Sequence, residues 1–256
     1  MKKGEIPRSP EERARKTLEL VKEVRGAGLV KVLADPLLEP PINPGIANSL
    51  RSYFFFRDMD EVTPLLFGAG NVTEFIDADS VGVNVFLALL AQELGVAVLL
   101  TTENSVKCRG CVREVAAARK LAYMAKALST PPKDLGVDVF VAKSKKEYFE
   151  PPDTEGMRVI SEVKVDDYSP DPLGYFTIWV SHDDGRIFTL YRGVKGEMLF
   201  AGRSAEHIGK AILSEGLVGS LEHAIYLGRE LEKAEVCLKL GKSYVQDVDV
   251  FGGWHE

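Results

Sequence analysis

The sequence predicts an α/β protein in two parts: a parallel sheet or barrel of βα units, then a small α+β domain. Three observations carry this. Short apolar runs alternate with helical periodicities from residue 11 to residue 128. Charge and proline break the pattern between Lys143 and Pro172. Beyond the break, alternating aromatic and β-branched residues flank a His182-Asp183-Asp184-Gly185 turn, which is a hairpin signal, and helical stripes follow it.

The first helix, residues 11–26, places Ala14, Leu18, Val21 and Val24 on one stripe behind a Ser9-Pro10 start and before a closing glycine. Leu29 to Ala34 is a short apolar run that fits a strand buried on both faces, so Asp35 falls at a strand's C-terminal end. The cycle repeats with a helix from Ile46 to Arg57, a strand from Pro64 to Phe67 and a helix from Val81 to Leu94. A strand from Val96 to Leu100 and a helix from Cys111 to Leu128 complete it. One more apolar run spans Val137 to Ala142, and the connector holds one expected strand at Met157 to Val165. The domains so read are 1–145, a connector 146–172, and 173–256. In the last, Tyr175 to Val180 and Arg186 to Tyr191 form the hairpin, and Ser204 to Leu213 and Ser220 to Leu240 are helices.

With 256 residues, 45% hydrophobic and 27% charged, the chain can bury a sizeable core. A net charge of −6 argues against a surface built to hold nucleic acid or anionic lipid. The apolar run Val81 to Leu100 is interrupted by Asn84, Gln92, Glu93 and two glycines, so no membrane span is expected. Three cysteines cannot build a disulfide framework and no leading segment reads as a signal peptide, which makes the cytoplasm the expected compartment.

In parallel α/β folds ligands gather where strands end, because loops and helix N-termini converge there. Three such ends are rich in polar groups: Ala34-Asp35-Pro36, Gly68 to Glu74, and Thr101 to Ser105. Asp35 would offer a carboxylate to an N–H-rich heterocycle, Asn71 both donates and accepts, and Gly68 and Gly70 let backbone approach a flat ligand. Ordinary turn chemistry is the plainer account of each triplet when it is taken alone, and the occurrence of all three on successive strands favours a shared site. Cys108-Arg109-Gly110-Cys111 at a helix start is a candidate redox pair, since a helix N-terminus and Arg109 would lower a thiol pKa; two unreactive cysteines are the plainer reading. Glu74, Asp77 and Asp79 form an acidic cluster better explained by capping at Asp79 or Ser80 than by a cation. His223, Tyr226 and Arg229 share one helix and are candidates for a second site, where His223 and Arg229 would meet a phosphate or carboxylate, or simply for surface pairs. There is no GxGxxG after a strand, no P-loop, no nucleophile elbow and no HExxH.

The strings ADPLLEP (Ala34 to Pro40), GAGNVTEFIDADSVGVN (Gly68 to Asn84), LLTTENSVKCRG (Leu99 to Gly110) and TPPKDLGVD (Thr130 to Asp138) resemble the archaeal dihydropteroate synthase-like branch of the pterin-binding (β/α)8 barrels. The fold so implied is the C-terminal portion of such a barrel followed by a small α+β domain. By this resemblance Asp35 matches the strand-end aspartate whose carboxylate pairs with the amino and ring N–H groups of a pterin. Asn71 stands where related pterin-binding methyltransferases carry a ring-bonding asparagine and synthases carry a lysine. Thr101, Thr102 and Glu103 replace an Arg-x-His that handles pyrophosphate. Gly174 to Val180 and Leu217 to Asp247 resemble an uncharacterised domain appended to such archaeal proteins and found alone in cyanobacteria.

The activity implied is transfer of a dihydropterin to an arylamine in tetrahydromethanopterin or folate synthesis, with Mg2+ as the family's ion. The alternative is a non-catalytic pterin-binding or regulatory subunit, or a methyl-pterin binding protein, that needs a partner to complete the barrel. A (β/α)8 barrel takes about 250 residues, roughly 30 per unit, so the first part of this chain holds about four units. The expected completion is a second copy or a separately encoded N-terminal barrel half, unless the chain is a truncated product.

Overall fold

The computed structural model describes residues 6–142, 145, 152–162 and 169–251, and the chain divides into two compact units, Met1–Ser144 and Lys145–Glu256. The first unit opens with α1 (Pro10–Gly26), capped by Ser9, whose hydroxyl accepts the Glu12 N–H at 3.3 Å; Glu11 and Glu12 in the first turn and Arg25 in the last suit the helix dipole. There follow α2 (Ile46–Met59), β1 (Leu66–Gly68), a single turn α3 (Gly70–Thr73), α4 (Ser80–Glu93), β2 (Val98–Leu100), a 3-10 turn at Val106–Cys108 and α5 (Cys111–Ala127).

β1 and β2 pair in parallel, with Leu66 opposite Val98 and Gly68 opposite Leu100, and Ala34 joins β1 through one parallel bridge to Leu65. The fold is therefore mixed helix and strand as expected, but the described strands form a narrow parallel sheet and no closed barrel. The strand expected from Leu29 to Ala34 is reduced to that bridge, held by Ala34 N–H to the Pro64 carbonyl and Leu66 N–H to the Ala34 carbonyl, both at 2.9 Å. Leu29 and Val30 are exposed, because among the described residues no strand lies beyond them to pair with or to cover them. Likewise no strand forms over Val137 to Ala142. Of the strand expected at Met157 to Val165, residues 157–162 are not extended in any sheet, and 163–165 lie outside the described residues.

One face of the sheet is covered. Ala34, Leu65 and Phe67 are buried against Tyr53, Phe56, Leu87 and Ala91, and Leu99 packs on the same cluster. The alternate residues face the other way: Leu33 is 50% exposed, Val98 37% and Leu100 54%. Parallel sheets are ordinarily covered on both faces, so this one presents a bare apolar surface.

The segment after Ala34 is held to the helices by a buried ion pair. Arg13 of α1 donates to Glu39 at 2.7 Å, both side chains being at most 10% exposed, and Ser49 of α2 donates to the same carboxylate at 3.2 Å. Arg13 also reaches the Pro7 carbonyl at 3.0 Å and the Leu37 carbonyl at 3.4 Å. Deeper in the chain, Thr73, Asn84, Ser80 and Glu114 form a second buried relay. Thr73 donates to Asn84 at 2.8 Å, while Asn84 and Ser80 donate to the two Glu114 oxygens at 2.8 and 2.9 Å, which ties α3, α4 and α5.

The second unit is an antiparallel sheet β3 (Gly174–Ser181), β4 (Arg186–Gly193) and β5 (Gly196–Gly202) with α6 (Ala205–Ser214) and α7 (Leu221–Leu240), in strand order β3-β4-β5. The hairpin and both helices stand where the periodicity puts them. β5 was not anticipated, although Gly193 and Gly196 bracket a two-residue turn and Met198 and Phe200 alternate inward. Phe176, Ile178, Ile187 and Tyr191 pack against Ile208, Ile212, Leu227 and Leu231 to form the core.

Because a buried carboxylate without its cation is costly, Arg13→Met should lower the stability of the first unit by about 3–5 kcal/mol, whereas Arg13→Met with Glu39→Met should recover most of the loss. Urea titration followed by circular dichroism checks this; equal losses in the single and double variants would mean that packing, not charge, dominates at Arg13.

Candidate functional site

The three expected strand ends meet at one end of the first unit's sheet. Asp35 follows the bridge at Ala34, Gly68 closes β1, and Thr101 follows β2. Register alone brings Gly68 beside Leu100. A Cβ on Gly70 would stand 3.6 Å from Thr101 Cα and 3.6 Å from Thr102 N, so the loops after β1 and β2 are in van der Waals contact there. A Cβ on Gly68 would stand 3.0 Å from Asn71 Nδ2, which leaves the asparagine amide folded back over the strand end.

Each polar side chain has a structural anchor. Asp35 accepts the Leu37 N–H at 2.9 Å and the Tyr53 hydroxyl at 2.8 Å, both on Oδ1, and remains exposed. Leu37 sits at φ +71°, a left-handed conformation unusual for leucine, held by that contact and by Arg13. Asn71 Nδ2 donates to the Leu38 carbonyl at 3.0 Å, which joins the second strand end to the loop of the first. Thr102 donates to Glu74 at 3.2 Å. Glu103 accepts the Val112 N–H at 3.0 Å and so caps α5, whose preceding Gly110 lies at φ +87° and offers no side-chain cap. The Thr101 hydroxyl is buried without a partner among the described residues. Asp35, Asn71, Gly68, Gly70, Thr101 and Glu103 are thus brought to one rim, where Asp35, Asn71 and Glu103 are exposed.

Tyr53 was not foreseen at this rim. The signal was present: Ser49, Ser52, Tyr53 and Phe56 form the buried stripe of α2, and a tyrosine on such a stripe needs a partner for its hydroxyl. The opposite rim is closed by Arg57, which donates to the carbonyls of Asp60, Glu61, Thr63, Leu94 and Gly95; the shallow cleft beside it lies at the strands' N-terminal ends, away from Asp35.

The cysteine pair fits its plainer reading, and the acidic cluster departs from the capping expected of it. Burial pushes the Cys111 thiol up to about 11, against the lowered value a reactive thiol at a helix start would have, and Cys108 and Cys111 are both buried and unbridged. Asp79 precedes α4 but its side chain makes no capping bond, and Ser80 is turned to Glu114. Glu74, Asp77 and Asp79 gather into no ion site, and among the described residues no three His, Cys, Asp or Glu side chains are placed to hold a metal. His182, in the hairpin turn, lies with Nε2 2.9 Å from the Lys242 carbonyl.

The second-site residues are also brought together, around two buried carboxylates. Asp171 accepts the N–H groups of Leu173, Gly219 and Ser220 at 2.7–3.1 Å and stands 2.8 Å from His223 Nδ1. Glu230 accepts from Lys233 at 2.7 Å, Tyr244 at 2.9 Å and the Asp247 N–H at 3.1 Å. Tyr226 donates to Asp247 at 2.9 Å and accepts from Gln246 at 2.8 Å; burial, with Asp247 beside it, pushes its phenol up to about 12. Gln246 also pairs with the free edge of β3, accepting the Ile178 N–H and donating to the Phe176 carbonyl, as a neighbouring strand would. Arg229 stays 64% exposed, over the Tyr226 ring. The cluster is a closed network whose donors and acceptors meet one another.

Residues 170–247 match the family described as PterinBD-DUF4346, a description that names a pterin-binding domain. An uncharacterized protein of Methanocaldococcus jannaschii is 35% identical over 96% of this chain and 47% of its own length, so the chain spans about half of that relative. A Ycf91-like protein of a Nostoc species is 34% identical over 30% of this chain and 83% of its own length, and an uncharacterized ycf91 protein of Pyropia yezoensis is 34% identical over 30% and 73%. No solved structure matches. No described helix is long and apolar enough to cross a membrane.

Burial alone would raise the Asp171 and Glu230 carboxyls, but the hydrogen bonds from Leu173, His223 and Gly219 to the one, and from Lys233 and Asp247 to the other, outweigh it and hold both below the usual range. Their stabilisation is present above the unfolded value of about 4 and is lost as pH falls through the lowered folded values. Calorimetric melting between pH 7 and pH 2 should show the second unit's transition falling steeply at the acid end, and Glu230→Gln should lower it at pH 7 and flatten that fall.

Proposed function

We propose that the first unit is a pterin-holding site built on the strand ends Asp35, Gly68–Asn71 and Thr101–Glu103, a reading supported by the match of residues 170–247 to the PterinBD-DUF4346 family. The observation that carries the reading is the convergence of these ends on one rim, with an exposed carboxylate anchored there by Tyr53 and Leu37. A pterin presents an amino group and ring N–H groups on one edge, and an acceptor-only carboxylate complements that edge. Asn71, tied to the Leu38 carbonyl through its Nδ2, keeps Oδ1 for a further ring N–H.

A dihydropteroate synthase-type transfer would form a bond from an arylamine nitrogen to the pterin methylene carbon, break the C–O bond to diphosphate and release a proton. That chemistry needs cations at the leaving group. At these strand ends Thr102 is engaged by Glu74 and Glu103 caps α5, so the residues present favour holding the ring over receiving the diphosphate. We read this chain as the pterin-binding part of a larger assembly. The bare face carrying Leu33, Val98 and Leu100 supports completion of the sheet by further parallel βα segments, for which the unmatched half of the M. jannaschii relative is the fitting source.

Isothermal titration with a dihydropterin tests the reading, with mass by light scattering in the same buffer. Asp35→Asn should weaken binding by about 1–3 kcal/mol, the worth of a charge-assisted hydrogen-bond pair. Unchanged affinity would remove Asp35 from the site, and no binding unless the relative's other half is added would make the pocket a shared one.

A further inference from the structure

We propose that Tyr53 is a positioning residue that makes Asp35 selective for a heterocycle's amino group, an inference that rests on the pterin reading. Tyr53 has no solvent exposure, and its ring stands edge-on to Phe67 with centroids 5.2 Å apart. The hydroxyl is therefore fixed by packing rather than by solvent. It lies 2.8 Å from Asp35 Oδ1 and 2.9 Å from the Leu66 carbonyl, so a single proton serves the carboxylate of the first strand end and the backbone of the second.

The consequence falls on Asp35. Oδ1 receives two protein donors, Tyr53 and the Leu37 N–H, whereas no donor among the described residues reaches Oδ2. Burial first, and then the Asp35 charge, raises the Tyr53 phenol far above neutrality, so it stays a donor at any working pH. A carboxylate held at one oxygen from two sides cannot rotate freely about its last torsion, and Asp35, an exposed residue, keeps its other oxygen unclaimed. That oxygen accepts an N–H and repels a carbonyl. Without the hydroxyl only the Leu37 contact remains, the carboxylate can turn, and its preference for an amino group over an oxygen at the same ring position weakens.

The test compares pterin with lumazine, which carries an oxygen where pterin carries the amino group, by titration of the full chain. The parent should favour pterin about tenfold or more, and Tyr53→Phe should bring the two ligands within about threefold of each other. A variant that merely loosens the fold weakens both ligands together and leaves the ratio intact, which would overturn the assignment. Should Tyr53→Phe fail to fold, proton NMR of the parent decides: the Tyr53 hydroxyl should remain slow to exchange with pterin bound, and its release into fast exchange would overturn the positioning role. Failure of the parent to bind either ligand, even with the relative's other half added, overturns the pterin reading and this role with it; binding with an unchanged ratio in the variant overturns the role alone.

Discussion

A carboxylate removed from water must find donors for its oxygens, and this one constraint organises both units. In the first, Glu39 meets Arg13 and Ser49, and the chain between Ala34 and Pro40 is thereby fastened to α1 and α2. In the second, Glu230 meets Lys233, Tyr244 and the Asp247 N–H, and the chain after α7 is drawn back along β3. In each case a loop that apolar packing alone would leave mobile acquires a defined path, because a displaced loop would strand a buried charge. Whether such pairs add net stability over apolar residues is secondary to this; their effect is to single out one arrangement.

The path imposed on residues 34–40 determines what the strand ends can do. Arg13 holds the Leu37 carbonyl, Asp35 holds the Leu37 N–H, and Asn71 holds the Leu38 carbonyl, so the first and second strand ends are cross-linked through backbone groups. The opposite rim is closed by Arg57 on five carbonyls. Donors are thus consumed at the N-terminal rim, while at the C-terminal rim Asp35 keeps one oxygen free. On the proposed reading, that asymmetry favours the Asp35 rim over the cleft beside Arg57 for a ligand rich in N–H groups.

Helices were legible in the sequence because their signals are local: the Ser9-Pro10 start, the glycine stops and the apolar stripes survive into the structure nearly residue for residue. The Leu29 to Ala34 strand was misjudged because a buried-strand pattern states what a segment would do with neighbours on both sides, and here it has one. β5 escaped because the turn between Gly193 and Gly196 is short and its central residues, Val194 and Lys195, are not turn formers by composition. Asp35 and Asn71 were legible as strand-end polar residues. Tyr53, Glu39 and Asp171 were not, since their roles arise from partners 10 to 52 residues away that no local pattern connects.

The two polar clusters differ in a way that bears on function. In the second unit, Asp171 and Glu230 are saturated by neighbours, and even Gln246 is committed on both ends to the edge of β3. A ligand entering there would have to displace bonds that hold the fold. At the rim of the first unit, Asp35 is exposed and half-engaged, and Gly68 and Gly70 keep side chains out of the approach. Free acceptors beside small residues cost little to desolvate when a matching edge arrives, whereas a closed network must first be opened. The polar cluster of the second unit thus serves its fold, and on the proposed reading recognition chemistry falls to the first.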